Sequence, residues 1–210
     1  MKYKQIDTQG TNCYIIFSQT EEKVMLIDPA FEPDKILSAC EGYKVDKILL
    51  THGHIDHVYD CAFYGAPVYI SKNDEEYLKN RSLSVPYNIF PELETRQYPL
   101  SGTFSDGDKI NFCEYTFDVI LTPGHTPGSC CFYTDGILFC GDLIFKGSIG
   151  RTDFPNGDEY AMAKSLLRVI QLPDETIICP GHGPQTTIKN EKYNNNYIEY
   201  YIRRYGNDNQ

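Results

Sequence analysis

A chain in which short strands come first, strands then alternate with helices, and four apolar runs stop abruptly at short glycine-containing turns predicts an α+β fold. The composition agrees: 41% hydrophobic and 23% charged residues are ordinary for a globular protein. The length of 210 residues predicts one domain over 1–210, able to bury roughly 70% of the surface its unfolded form exposes.

The elements follow in order. The opening MKYKQIDTQG lacks the apolar stretch of a signal peptide. Asn12–Ser18 (NCYIIFS) and Lys23–Asp28 (KVMLID) read as neighbouring strands joined by a polar turn. A helix starts near Pro33, carries Ile36, Leu37 and Cys40 at helical spacing, and stops at Gly42. Lys47–Leu50 and Val68–Ser71 are buried strands, and a polar helix covers Asn73–Asn80. Residues 81–107 hold three prolines and few periodic signals, so they read as a long loop of the kind that is often functional. Lys109–Phe112 pairs with Phe117–Leu121, and Cys130–Tyr133 with Ile137–Cys140 around an Asp135-Gly136 turn. A helix over Glu159–Leu172 sets Tyr160, Ala163, Leu166, Leu167 and Ile170 on one face; a core strand follows at Thr176–Cys179 and a tyrosine-rich helix at Tyr193–Tyr205.

Charge and cysteine usage narrow the function classes. With 29 acidic against 19 basic residues the net charge is -10, which disfavours nucleic acid and anionic membrane as partners and leaves a small molecule. No run approaches the ~18 apolar residues of a membrane span. Several of the eight cysteines sit in apolar runs such as ILFC and TIIC, and no CxxC pair occurs, so they read as small buried hydrophobes in a reduced, cytoplasmic protein.

Chemistry concentrates where the apolar runs end: KILL-THGH, VILTP-GH, ILFC-GD and TIICP-GH. Groups just past strand ends are held by rigid scaffold and face open space. In THGHIDH, His52 and His54 project to the same side of an extended segment, and Asp56 and His57 follow at the turn into a helix. Four donors within six residues can supply half the coordination of two adjacent ions. Imidazole with carboxylate and no thiolate suits zinc, and also iron or manganese. The remaining histidines, His125 in TPGHTPG and His182 in CPGHGP, stand at two of the other strand ends, and Asp142 at the last. A lone aspartate there would cap a turn as readily as bind a metal; beside five histidines it reads as a carboxylate between two ions.

With these residues in place, the sequence resembles the metallo-β-lactamase-fold hydrolases, whose motif order is an early Asp, HxHxDH, then a lone His, Asp and His. Here those are Asp28, residues 52–57, His125, Asp142 and His182, spanning most of the chain from Asn12 to Gly183. The resemblance implies a four-layer αββα sandwich with two divalent ions at one edge. It would assign His52, His54 and His125 to one ion and Asp56, His57 and His182 to the other, with Asp142 bridging and Asp28 in structural support. Zinc is the expected metal. A shared hydroxide would attack a carbonyl, and Asp56 could orient it as well as ligate. No GxSxG elbow offers a serine nucleophile instead.

Within the superfamily, TPGHTPGS at 122–129 and FKGSIGRTDFPNGD at 145–158 look like the glyoxalase II-related branch, which hydrolyses hydroxyacylglutathione-type thioesters. A thiolate leaving group, with a thiol pKa near ~8.5, needs little acid assistance. Glyoxalase II enzymes carry an added C-terminal helical domain whose basic residues grip glutathione; here 210 − 182 = 28 residues follow His182, so that domain is not expected. Persulfide dioxygenases share the fold and a similar GRTDF stretch, and hold one iron with two His and one Asp, which would be His52, His125 and Asp142. Arg151 and Asp153 are candidate substrate contacts, or else an ion pair that shapes the 145–158 loop. A non-catalytic metal-binding module would typically have lost a ligand, and none is missing. Nuclease members are disfavoured by the acidic charge, and a true β-lactamase by the lack of an export signal.

Overall fold

The computed structural model describes residues 1–85 and 98–205. Alternation along its strands sets the layering. In β1 (Lys2–Thr8) and β2 (Thr11–Phe17) the contrast is immediate: β1 is mostly half-buried, whereas all of β2 is buried. Cys13, Ile15 and Phe17 of β2 join one core cluster and Tyr14 and Ile16 another, because successive side chains leave opposite faces of the sheet.

The first sheet adds β3 (Lys23–Ile27), β4 (Lys44–Leu49), β5 (Val68–Ser71) and β6 (Gly102–Phe104), in the order β1-β2-β3-β4-β5-β6, parallel from β3 onward. The second holds β7 (Lys109–Phe112), β8 (Tyr115–Leu121), β9 (Cys130–Thr134), β10 (Ile137–Gly141), β13 (Ile177–Pro180) and β14 (Thr186–Thr187) in the order β14-β13-β10-β9-β8-β7. Between β10 and β13 the chain forms a small hairpin, β11 (Ile144–Phe145) with β12 (Ser148–Ile149), that was not legible in the sequence. The helices are α1 (Pro33–Ala39), α2 (Ile55–Val58), α3 (Arg81–Ser84), α4 (Glu159–Val169), α5 (Ile188–Asn194) and α6 (Asn196–Tyr205).

Three apolar layers result. Tyr14, Ile16 and Met25 meet Phe117, Phe132 and Phe139 between the sheets; α1 and α2 cover the outer face of the first sheet, and α4, α5 and α6 that of the second. This is the expected αββα sandwich. Edge contacts such as Tyr14 on Phe139, with centroids 5.1 Å apart, fill the central layer, where truncating one aromatic to alanine costs about 3–5 kcal/mol.

Most predicted elements recur within a few residues, and Asp135 and Gly136 both have positive φ, as a two-residue hairpin turn requires. Five differences have physical causes. β1 carries no strand signal in the sequence because it is an edge strand with lysines, whose Lys2 and Lys4 fold over Phe17 and pair with Glu41. The polar segment near 73–80 is a 3-10 turn over Lys72–Leu78 with Asp74, Tyr77 and Leu78 buried. The expected loop 81–107 contains α3 and β6, and its residues 86–97 lie outside those described. Helix α4 ends at Val169 and buries Met162, Ala163, Leu166 and Val169, while Tyr160 points outward toward Lys164 and Tyr205. The expected terminal helix is two helices broken at Asn195, whose extended backbone lets Oδ1 accept from Tyr197 N and Nδ2 donate to Ser148 O. Among the described residues no helix is long and apolar enough to cross a membrane.

Candidate metal centre

Four strands end at one edge of the sandwich, and each delivers polar side chains there. β4 leads into Thr51–His57, β8 into His125, β10 into Asp142 and β13 into His182. Backbone bonds lace these ends together: Cys130 N to Thr51 O (2.9 Å), Gly181 N to Gly141 O (2.8 Å) and Asn12 N to Gly181 O (2.7 Å). These bonds tie the strand ends to one another.

All seven ligand candidates from the sequence converge. His52, His54 and His125 form one group, His52, His57 and Asp142 a second, and Asp56, His57 and His182 a third, with donor atoms in each group within 4.8 Å of one another. Asp142 spans the assembly: its Oδ1 lies 3.4 Å from His57 Nε2, and its Oδ2 lies 3.5 Å from His125 Nε2 and 3.4 Å from His182 Nε2. Asp56 Oδ2 is 3.4 Å from His182 Nε2. The two end groups share no residue, and Asp142 stands between them.

Neighbours fix which ring nitrogen faces inward. His125 Nδ1 lies 2.7 Å from Arg151 O, His182 Nδ1 2.7 Å from Gly10 O, and His57 Nδ1 2.9 Å from Asp28 Oδ2. Each of these oxygens accepts a hydrogen bond from Nδ1–H, which turns the Nε2 edge of the ring toward the centre. Asp28, buried and with positive φ, also receives Thr51 N (2.8 Å) and Thr51 Oγ1 (2.6 Å), and Thr51 Oγ1 stands 3.1 Å from His52 Nδ1. The supporting position of Asp28 is therefore concrete: it braces His57 directly and His52 through Thr51. His54 differs, with Nδ1 rather than Nε2 next to His125 Nε2, at 2.8 Å.

Burial and charge divide the cluster. Burial, reinforced by neighbouring imidazoles, holds His52 far below its ordinary pKa and brings His54 to about 3. Burial also pulls His57 down, yet Asp142, Asp28 and Asp56 outweigh it and lift His57 to about 10. His182 is lifted to about 11 in the same way, by Asp142 and Asp56 against burial. Those imidazoles in turn hold Asp142 and Asp56 below the usual carboxylate range despite desolvation.

The residues fit divalent metal. His52 Nε2, His57 Nε2 and Asp142 Oδ1 are buried without a hydrogen-bond partner, and each such orphan costs about 1–3 kcal/mol unless something fills the role. Nitrogen and carboxylate oxygen donors suit zinc and iron. At Gly181 a Cβ would stand 2.3 Å from Asp142 Oδ1 and 2.7 Å from His57 Cε1, so only glycine leaves this space open.

Beside the cluster opens a cleft of about 340 Å³. His54, Asp56, His125, Asp142 and His182 line it on one side, with Ile55, Ser84, Phe145, Ser148, Ile149, Arg151 and Phe154 on the others. Arg151 holds Asp153 through Nε (2.6 Å) and Nη2 (2.7 Å) and lies 3.9 Å over the Phe154 ring. The expected Arg151–Asp153 pair exists, and Arg151 reaches the cleft, whereas Asp153 is not among its lining residues. The apolar wall of Ile55, Phe145, Ile149 and Phe154 went unread, since such residues carry no local signature. So did Asp74, which accepts from Gly53 N, Thr126 Oγ1 and Gly128 N within an apparently polar segment.

The sequence model of the Metallo-beta-lactamase superfamily matches residues 6–182. Hydroxyacylglutathione hydrolase GloC of Haemophilus influenzae is 31% identical over 202 residues, covering 89% of this chain and 92% of that protein. Among solved structures, the BLEG-1 B3 metallo-beta-lactamase superposes with a TM-score of 0.87 at 30% identity, covering 94% of this chain and 99% of the other. TTHA1623 in a di-iron-bound form gives 0.79 at 33% identity, covering 93% and 98%.

Proposed function

The chain belongs to the metallo-beta-lactamase superfamily, a family of metal-dependent hydrolases, and from that premise we propose that it cleaves a thioester of the hydroxyacyl-thiol class with two divalent ions. The observation that carries this reading is Asp142, within 3.5 Å of a histidine from each of the two end groups. In the proposed assignment His52, His54 and His125 would hold one ion and Asp56, His57 and His182 the other, with Asp142 in reach of both.

Two such ions supply a water acidified from 15.7 toward about 7 and a Lewis acid for the carbonyl oxygen. The chain's own residues do the rest. Asp56, partly exposed and lining the cleft, is placed to orient that water and accept its hydrogen bond. Ile55, Phe145, Ile149 and Phe154 give the acyl group an apolar wall and keep bulk water out. A thiolate departs without a general acid, which agrees with a cleft whose titratable groups are almost all committed to the cluster.

A hydroxyacylglutathione-type substrate is favoured by the likeness to the hydroxyacylglutathione hydrolase GloC, matched over 92% of that protein's length. The 30% identity to BLEG-1 makes a β-lactam the substrate to test against it. A second reading, one iron in an oxygen-consuming persulfide reaction, draws on His52, His125 and Asp142, with Asp142 Oδ2 3.5 Å from His125 Nε2 and the His52 and His125 ring centroids 4.8 Å apart. It leaves Asp56 and His182, 3.4 Å apart at the cleft, without a use.

Three substrates decide: S-lactoylglutathione, a chromogenic cephalosporin and glutathione persulfide, each given to metal-loaded protein. Cleavage of the thioester at a kcat/KM at least about a hundredfold above the cephalosporin is the expected outcome. Oxygen uptake on the persulfide without thioester cleavage would establish the second reading instead.

A further inference from the structure

Asp74 is the most deeply buried carboxylate outside the ligand set that still touches the ligand loops; it is 0% exposed. It sits in the 3-10 turn Lys72–Leu78, where Ser71 caps the start by accepting from Asn73 N. Its Oδ2 accepts from Gly53 N (3.0 Å) and Thr126 Oγ1 (2.7 Å), and its Oδ1 from Gly128 N (2.7 Å). Gly53 lies between His52 and His54, and Thr126 follows His125. One carboxylate therefore ties together the two loops that carry the three-histidine group, although these loops are 71 residues apart in sequence.

The approach is tight. A Cβ at Gly128 would lie 2.6 Å from both Asp74 N and Asp74 Oδ1, so the loop can close on the carboxylate only because it is glycine there. The same turn presses Tyr77 beside His54, with ring centroids 5.7 Å apart. Asp74 touches none of the supports of the other group, where Asp28 bonds His57 directly (and reaches His52 only through Thr51) and Gly10 O bonds His182.

We infer that Asp74 is a positioning residue for the three-histidine half of the centre, setting its metal affinity without touching the ion. This rests on the two-ion reading above. Because Gly53 N–H and Gly128 N–H address different oxygens of Asp74, an amide at this position must turn its NH2 toward one of these donors. Asp74→Asn thus keeps the side chain's shape and breaks one tie. Removing partners of this kind typically costs roughly 10–100-fold in metal affinity.

The test measures zinc affinity of chelator-stripped protein against a chromophoric competitor, in two reference backgrounds that each load one half. His182→Ala retains the three-histidine group and His125→Ala the other. Asp74→Asn should weaken zinc by about tenfold to a hundredfold in the His182→Ala background and by less than about threefold in the His125→Ala background. Equal losses in both backgrounds, or a loss in neither, overturn the positioning role. Should Asp74→Asn fail to fold, Thr126→Val, which deletes only the hydroxyl donor, decides by the same comparison with a smaller selective loss expected. Wild-type protein that takes up no zinc would defeat the two-ion reading and this inference together; two equivalents with an unselective Asp74→Asn would defeat the inference alone.

Discussion

The two halves of the centre are built from similar ligands but prepared for metal in opposite ways. In the three-histidine half, burial keeps His52 and His54 far below the ordinary imidazole pKa, so both are neutral at pH 7. In the carboxylate half, Asp142 and Asp56 hold the protons of His57 and His182, lifted to about 10 and about 11 against the same burial. A cation there takes the place of protons the site already favours. The difference teaches that a low-dielectric edge can prepare a ligand either by refusing it a charge or by giving that charge a partner. The braces differ too: Asp74 fastens backbone of the first half, and Asp28 bonds His57 itself.

The comparison breaks most completely at the residue both halves share. Asp142→Ala should lower turnover of the thioester by at least about a thousandfold, since neutralising and polarising groups of this kind contribute several kcal/mol. The folded state should persist by circular dichroism, because Asp142 lies at the edge and not within the three apolar layers. An active Asp142→Ala enzyme would remove the bridge from the account.

Proton release sharpens it next. Below the unfolded histidine pKa of ~6.5, the raised values of His57 and His182 contribute stability in full; that stability is lost as pH rises through about 10 and 11. Metal competes with those protons. Loading the carboxylate half at pH 7 should therefore release about two protons, one from each imidazole, and affinity there should rise with pH. Calorimetric titration of the His125→Ala protein in buffers of different ionisation enthalpy reads this directly; zero release would mean the halves are prepared alike.

The smallest effect belongs to Arg151. It is exposed and already engaged with Asp153 and Phe154, so Arg151→Ala should raise KM for an anionic thioester by only about threefold, with kcat kept. An unchanged KM would leave Arg151 as a residue that shapes its loop and orients His125 through its carbonyl.

The sequence made one half of this organisation more legible than the other. Histidines and aspartates at strand ends are visible as residue types at fixed spacings, and all seven converge. The supporting role of Asp28 came from the family resemblance and from no local spacing. Asp74 was not legible, because its partners are largely backbone N–H groups of Gly53 and Gly128, and the glycines that admit it look like turn residues. At the level of the fold, alternating apolar runs located the strands between the sheets, whereas β1, paired on one side and dressed with lysines, carries little apolar signal. The break at Asn195 depends on a tertiary bond to Ser148 O in the unread hairpin, which periodicity in the last helices cannot report. The 12 residues 86–97 are the part of the expected 81–107 loop that lies outside the described structure.

The most direct test of the central claim is thioester hydrolysis measured as metal is added back, equivalent by equivalent, to stripped protein. Two halves joined by Asp142 predict little activity through the first equivalent and a rise that completes with the second. Full activity at one equivalent, with no further gain, would contradict the two-ion account.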